Sequence, residues 1–187
     1  MKIRILGLLI FICILSAQES STKMMDHFPL FSTLVQTDMM EGNKGSAYTI
    51  GVLFYYDEDD SYDHAQRLQL SLMNEIIKLK QSLNKDVTFK LIKYTNKGKL
   101  FLNADNDKVD IFYVCEEFPD DEIKKIKFVA DKLQILTFTP VNDFYDEGLA
   151  STVVDDNNVF SLLINNESVK KERPTSKIDF STIAKVE

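Results

Sequence analysis

The sequence predicts an α/β protein, with a mostly parallel sheet, helices on both faces and a C-terminal β-hairpin. Three observations lead to this fold class. Short segments rich in β-branched and aromatic residues recur along the chain, segments with apolar residues at helical spacing separate them, and the last two strands flank a polar turn. Strands that alternate with helices form parallel sheets that are covered on both sides.

The first predicted strand, residues 48–56 (YTIGVLFYY), runs into the acidic segment DEDDSYD. Apolar residues then recur at helical spacing, which predicts a long helix with the buried positions Ala65, Leu68, Leu72, Ile76, Leu79 and Leu83. Upstream of the sheet, a short N-terminal helix is predicted from Phe28, Phe31, Leu34 and Val35. Gly42 and Gly45 fall in the loop that joins this helix to the first strand.

Three further strands and one more helix follow. Apolar alternation in VTFKLIKY predicts the second strand over residues 87–94, residues 109–115 predict the third, and residues 133–139 (LQILTFT) predict a fourth that Pro140 ends. Between the third and fourth strands, a helix is predicted to about Lys132. Its first turn holds a proline and three acids, which favour a helix N-terminus: Pro119, Asp120, Asp121 and Glu122.

The pattern changes near the end of the chain. Residues 149–154 and 159–164 are apolar segments that flank four turn-forming residues, Asp155-Asp156-Asn157-Asn158. This arrangement predicts a β-hairpin.

The N-terminus predicts export. Lys2 and Arg4 precede a short apolar run, residues 5–15, and small residues follow, so a signal peptide over residues 1–17 is expected to be cleaved after Ala17. The run is shorter than the roughly 20 apolar residues that span a bilayer, although an uncleaved anchor is the alternative. We therefore expect a periplasmic mature chain without a transmembrane segment. It comprises a short segment, residues 18–27, and one domain, residues 28–187.

Charge excludes one class of partner. Without Lys2 and Arg4, 20 basic residues stand against 29 acidic ones, a net charge near −9. A chain this acidic is repelled by phosphate backbones and by anionic lipid surfaces, so no nucleic-acid partner is expected.

Cys115 is the one cysteine of the predicted mature chain, and it lies between a predicted buried strand and Glu116-Glu117. A lone cysteine cannot close a disulfide within its own chain. Neighbouring carboxylates disfavour a thiolate, so a reactive thiol is the less favoured alternative. Cys115 is expected to be a small buried residue at a strand end.

No catalytic or metal-binding set can be assigned. Asp57, Asp59, Ser61 and Asp63 alternate like a calcium loop, but Tyr62 and Leu68 stand where glycine and a bidentate glutamate are needed. These residues are expected to cap the long helix instead. No nucleophile–base pair, phosphate-binding glycine loop or zinc motif is present. We expect a non-enzymatic protein without a cofactor.

A binding site is expected where parallel strands end, because open parallel sheets bind ligands outside the carboxyl ends of their strands. The residues expected to gather there are Tyr56, Asp57, Thr95, Cys115, Glu116, Thr139 and Asn142. Polar residues also cap strand ends in proteins where no ligand binds there, so a purely structural role for these residues is the alternative.

The C-terminal third resembles a known family. The segment LQILTFTPVNDF, followed by Gly148 and a hairpin that ends in Ile164-Asn165, resembles the signature of the YfiR-like periplasmic domain, with Phe144 in the place of its aromatic residue. The segments IGVLFYYDEDD and IFYVCEE resemble its first and middle strands. KIDFSTIAKV, residues 177–186, resembles its final helix. The resemblance covers residues 28–187, although the paired glycine, the cysteines and a tryptophan-proline of the family are absent.

The resemblance implies a regulatory role. Members restrain an inner-membrane diguanylate cyclase and lower cyclic di-GMP signalling, or accompany sensor kinases, and a homodimer is implied as well. Partner contacts are then expected near Phe144, Gly148 and Asn165, with Phe144 either a core residue or a contact anchor. The alternative is a periplasmic small-molecule sensor or binding protein of the same α/β class.

Overall fold

The computed structural model describes residues 27–40, 47–55, 85–156, 159–175 and 178–186. It also describes positions 62, 65–71, 73, 77, 80 and 81 of the segment between the first two strands. The expected signal peptide, the loop with Gly42 and Gly45, and the acidic residues 57–61 and 63 lie outside this set.

The elements follow one another in a strand–helix order. Helix α1 covers residues 27–40, and the described run of helix α2 covers residues 65–71. The other elements are β1 Ala47–Tyr55, β2 Asp86–Tyr94, α3 Lys97–Asn106, β3 Ile111–Val114, α4 Asp120–Leu133, β4 Leu136–Thr139, α5 Asn142–Asp146, β5 Ser151–Asp156, β6 Val159–Ile164, α6 Asn166–Glu172, a 3₁₀ turn η1 Phe180–Thr182 and β7 Lys185–Val186.

The strands form one seven-stranded sheet in the order β2-β1-β3-β4-β5-β6-β7. All neighbouring strands are parallel except β5 and β6, which form the antiparallel hairpin. The predicted fold class is therefore confirmed, with its hairpin. We call the edge at which β1 to β4 end the carboxyl edge, and the opposite edge the amino edge.

Two apolar cores cover the two faces of the sheet, because side chains alternate along each strand. The first face packs against α1 and α2, through residues such as Phe31, Leu34 and Leu68. The second face packs against α3, α4 and α5, through residues such as Leu100, Ile126 and Phe144. The predicted helices on both faces are thus observed.

A buried ion pair at the amino edge fastens α1 to the rest of the fold. Arg173, which follows α6, donates from Nε and Nη2 to the two carboxylate oxygens of Asp38 at 2.9 and 2.8 Å. Tyr48 donates to the same carboxylate at 2.6 Å, and the Arg173 guanidinium also donates to the carbonyls of Gln134 and Asp110. One side chain therefore joins α1 to the turns that precede β3 and β4.

Several boundaries differ from the sequence prediction. Leu133 ends α4 instead of starting β4, because Gln134 adopts a left-handed conformation that reverses the chain. The hairpin turn is shorter than predicted, since Asp156 already pairs with Val159. Asn157 and Asn158 lie outside the described residues.

The predicted final helix over residues 177–186 is wrong. The structure has η1 and the short strand β7, which pairs in parallel with Leu163 and Ile164 of β6. The segment contains β-branched Thr182, Ile183 and Val186, which favour strands over helices. Pairing with the free edge of β6 satisfies backbone groups that a short, exposed helix would leave to water.

Candidate functional site

The carboxyl edge has a topological switch point between β1 and β3. These strands are neighbours, but the chain leaves β1 for α2 on the first face and leaves β3 for α4 on the second face. Connections that leave in opposite directions open a crevice between the two strand ends, where open α/β sheets bind ligands. Tyr56 and Asp57, which were expected at the end of β1, lie outside the described residues.

The end of β3 forms one side of this crevice. The Cys115 amide donates to the carbonyl of Leu53 at 3.1 Å, so Cys115 continues the pairing with β1. Glu116 is exposed, as a site residue should be. Glu117 has a φ of 76°, a left-handed conformation that residues with a Cβ rarely adopt, and it redirects the chain toward α4.

The Cys115 thiol is fully buried, which confirms the sequence prediction. Burial raises the pKa of the thiol well above its ordinary value, and the carboxylates of Glu116 and Glu117 raise it further. A neutral, enclosed thiol is a weak nucleophile.

We therefore expect Cys115 to react slowly with a thiol reagent in the native protein and rapidly after unfolding in urea. Labelling at pH 7.5 followed by mass spectrometry measures both rates. Cys115→Ser should fold with a loss of about 1–3 kcal/mol, because a hydroxyl replaces the thiol in an apolar setting. Fast labelling of the native protein would contradict the burial.

Two hydroxyl groups near the carboxyl edge are enclosed without a hydrogen-bond partner in the described part of the chain. The Tyr113 hydroxyl lies on the first face, where its ring meets Phe31 and Phe138 at centroid distances of 5.2 Å. The Thr95 hydroxyl follows the end of β2. Such groups are rare in folded proteins because each costs free energy, and water or a ligand commonly satisfies them.

The second face carries an aromatic cluster at the same edge. Tyr55, Tyr94 and Phe118 lie within 5.5–6.3 Å of one another between ring centroids. The Tyr94 hydroxyl donates to Glu122, whose carboxylate also pairs with Lys125 at 2.8 Å. Because Asp120, Asp121 and Glu122 already place negative charge at the N-terminus of α4, that helix end disfavours an anionic ligand.

Thr139 and Asn142 are brought close together beyond the end of β4. Thr139 is buried, and its hydroxyl accepts from the amide of Val141 at 3.2 Å. Asn142 begins α5, and its side-chain oxygen accepts from the Thr152 hydroxyl at 3.2 Å. Both residues lie at the predicted edge, and their hydrogen bonds join β4, α5 and β5.

The other three expected contact residues do not join this site. Gly148 and Asn165 lie at the amino edge, where Ser168 joins them through its hydroxyl and its amide. Gly148 has a φ of 102°, a conformation that residues with a Cβ rarely adopt, and this explains the glycine. Lack of space does not explain it, since an added Cβ would meet no described atom closer than 3.6 Å. Phe144 is only 5% exposed and packs in the second core, which favours the core alternative over the contact anchor.

Sequence reasoning missed Tyr113 and the aromatic cluster as site features. Aromatic residues inside strands are typical of a core, and most of these rings are buried. The only available signal was the tyrosine hydroxyl, which needs a partner wherever it is buried. Whether that partner exists depends on residues distant in sequence.

The strand order and the switch point define an open, mostly parallel α/β sheet of the kind that binds ligands at its carboxyl edge. Comparisons with solved structures agree with this fold. The chain is similar to a conserved domain protein from Vibrio cholerae O1 biovar eltor, at 12% identity and a TM-score of 0.50, over 74% of this chain and 54% of the other.

It is also similar to the ligand-free, open structure of a substrate binding protein with adhesive properties from Clostridium difficile. That match has 10% identity and a TM-score of 0.51, over 82% of this chain and 58% of the other. The chain thus spans little more than half the length of either protein. No family model matches the sequence, and no curated protein matches it. None of the helices in the described parts is long and apolar enough to cross a membrane.

Proposed function

We propose that this chain is an exported, non-catalytic binding protein that recognises a small ligand at the crevice between β1 and β3. The observation that carries the proposal is the Tyr113 hydroxyl. It is fully enclosed, it has no hydrogen-bond partner among the residues that the structure describes, and it lies one residue before the end of the strand that forms the crevice. A ligand that reached this hydroxyl would satisfy it at no cost to existing bonds.

Two further observations support the proposal. The neighbouring thiol of Cys115 is buried and neutral, so it is unsuited to nucleophilic catalysis. The Clostridium difficile structure shares the fold of this chain and is described as a substrate binding protein. At 10% identity that likeness concerns the fold, and the ligand of this chain has to be found by experiment.

The test compares two buried tyrosines that differ in hydrogen bonding. In the free protein, Tyr113→Phe should leave the melting temperature unchanged or slightly higher, because it removes an unsatisfied hydroxyl. Tyr48→Phe is the matched control, since its hydroxyl donates to Asp38 at 2.6 Å and its loss should cost about 1–3 kcal/mol.

Ligand binding is then measured by thermal shift against free amino acids, amines, carboxylates and sugars. For any compound that raises the melting temperature, Tyr113→Phe should weaken Kd about tenfold, which corresponds to about 1.4 kcal/mol. If Tyr113→Phe destabilises the free protein as much as Tyr48→Phe does, its hydroxyl is bonded within the fold. That result, or a panel in which no compound binds, rules the proposal out.

A second candidate function is the regulatory one that the YfiR-like resemblance implies. The observation that favours it is an apolar stripe between β1 and β2: Leu70, Met73 and Ile77 are each helical, are spaced at i, i+3 and i+7, and are 67%, 51% and 52% exposed. Exposed apolar stripes of this kind often contact another protein. In this reading, the chain restrains a membrane signalling protein such as a diguanylate cyclase or a sensor kinase.

The two candidates are separated by changing the stripe. Replacing Leu70, Met73 and Ile77 together by glutamine should leave ligand binding unchanged but release any membrane signalling protein that wild type retains from solubilised membranes. Deletion of the gene should then raise cyclic di-GMP or the output of a sensor kinase. If deletion alters neither signal, the regulatory reading fails while the ligand-binding reading stands.

A further inference from the structure

The carboxyl group of Glu172 occupies a place in the sheet that a strand would normally fill. Glu172 is the last residue of α6 and is fully buried. The Thr137 amide of β4 donates to Oε2 at 2.9 Å, because β5 pairs with β4 only from Phe138 onward. The side chain therefore satisfies a strand amide that would otherwise be buried without a partner.

We propose that Glu172 is a pH-sensitive latch that fastens the C-terminal segment, Asn165 to Val186, to the sheet and loosens as the pH rises. This segment holds α6, Arg173, η1 and β7. Besides the latch, it is attached through the Ser168 hydroxyl to the carbonyl of Gly148, through Arg173 to Asp38, and through the pairing of β7 with β6.

Thr137 can form a hydrogen bond with either protonation state of the Glu172 carboxyl group. The Thr137 hydroxyl lies 3.0 and 3.2 Å from the two carboxylate oxygens of Glu172. It can donate to an ionised carboxylate, or accept the proton of a neutral carboxyl group. The same hydroxyl accepts from the Ala150 amide at 2.7 Å, which fixes its position at the start of β5.

The charged groups that face Glu172 come from α4. The Lys127 ammonium lies 3.5 Å from Oε1, and it also pairs with Asp131, so one cation is shared by two carboxylates. Arg173, the residue that follows Glu172, donates instead to the carboxylate of Asp38 in α1. The described part of β4 contributes no charge here. Ionisation of Glu172 thus places a second anion beside a single, partly buried ammonium group.

Burial raises the pKa of Glu172 from its ordinary value of 4.5 to about 8, against the lowering effects of Lys127 and Thr137. The stability contributed by the neutral carboxyl is fully present below pH 4.5 and is lost as the pH rises toward 8. Within this window, the equilibrium constant for opening should rise about tenfold for each pH unit, and it should level off above pH 8.

Urea unfolding between pH 5 and pH 9 tests the linkage. The difference in unfolding constant between wild type and Glu172→Gln should grow with pH up to about pH 8, because glutamine cannot ionise. Glu167→Gln is the matched control, since Glu167 is exposed on the same helix and its variant should follow wild type. If Glu172→Gln keeps the full pH dependence of wild type, the latch is ruled out.

Hydrogen exchange shows whether the opening is local. After correction for intrinsic rates, the amides of α6 and β7 should lose protection with pH before those of β1 do. If the amides of α6 and β1 lose protection in parallel, the C-terminal segment does not open separately and the proposal is overturned. If Glu172→Gln does not fold, the carboxyl carbon of Glu172 can be titrated by NMR in wild type. A midpoint near 8 supports the latch, and one near 4.5 overturns it.

Discussion

Replacement of Arg173 by methionine should lower the free energy of unfolding by about 3–5 kcal/mol, because it leaves the buried carboxylate of Asp38 without its cation. Asp38 is fully buried and, of the donors in the described residues, would keep the Tyr48 hydroxyl alone, and the carbonyls of Gln134 and Asp110 would each lose a donor. Urea unfolding monitored by circular dichroism measures the change.

Two further variants separate charge from packing in this test. Asp38→Leu combined with Arg173→Met should recover part of the loss, because apolar replacement of both partners removes the unpaired charge. Lys170→Met, on the exposed side of α6, should change stability by no more than about 0.5 kcal/mol. An Arg173→Met protein as stable as wild type would mean that the buried pair contributes nothing.

Truncation of Phe144 to alanine should cost about 3–5 kcal/mol, the range for large buried aromatic residues. The ring is 5% exposed and fills the second core beside α4. Thermal unfolding and urea unfolding should both report the loss.

Phe128→Ala is the matched control for Phe144, because the Phe128 ring is 45% exposed on α4. Its contacts are the ammonium groups of Lys97 and Lys132 over the ring, at 4.4 and 5.7 Å from the centroid. Contacts of this kind are worth about 0.5–1 kcal/mol each at exposed sites, so with two of them the control should lose about 1–2 kcal/mol, less than Phe144→Ala. Equal losses in the two variants would contradict the burial of Phe144.

Strands β1 to β6 were predictable because each one is a continuous apolar or alternating segment. β1, β2 and β3 fall within one or two residues of the sequence prediction. The helical spacing of Ala65 and Leu68 likewise predicted buried positions, and both side chains are buried. Patterns of this kind depend on local spacing, and the sequence carries them without reference to distant residues.

Helices α3 and α5 were missed for two physical reasons. α3 buries only Leu100 and Ala104, too few positions for a helical period, and its clearest signal is the Asn96 cap, which accepts from the amide of Lys99. α5 has five residues, which is too short for a period to show.

Helix α6 was missed for a different reason, because two of the three residues that it buries are polar. Glu172 lies beside Thr137, 35 positions away, and Arg173 lies beside Asp38, 135 positions away. A hydrophobic pattern treats such residues as surface residues, since unpaired charges are seldom buried. The candidate site was predicted only in part for a similar reason: strand ends located Glu116 and Thr139, but the isolation of the Tyr113 hydroxyl depends on the packing around it.

The separation of 135 positions between Asp38 and Arg173 bears on how the chain folds. Synthesis proceeds at roughly 5–20 residues per second, so Asp38 is made on the order of 10 s before the guanidinium that neutralises it. During that interval its carboxylate is stable only in water, because burial without a cation costs several kcal/mol. Helix α1 can therefore dock permanently on the sheet only after the last elements have formed. The first element of the domain to be made is among the last to reach its final place.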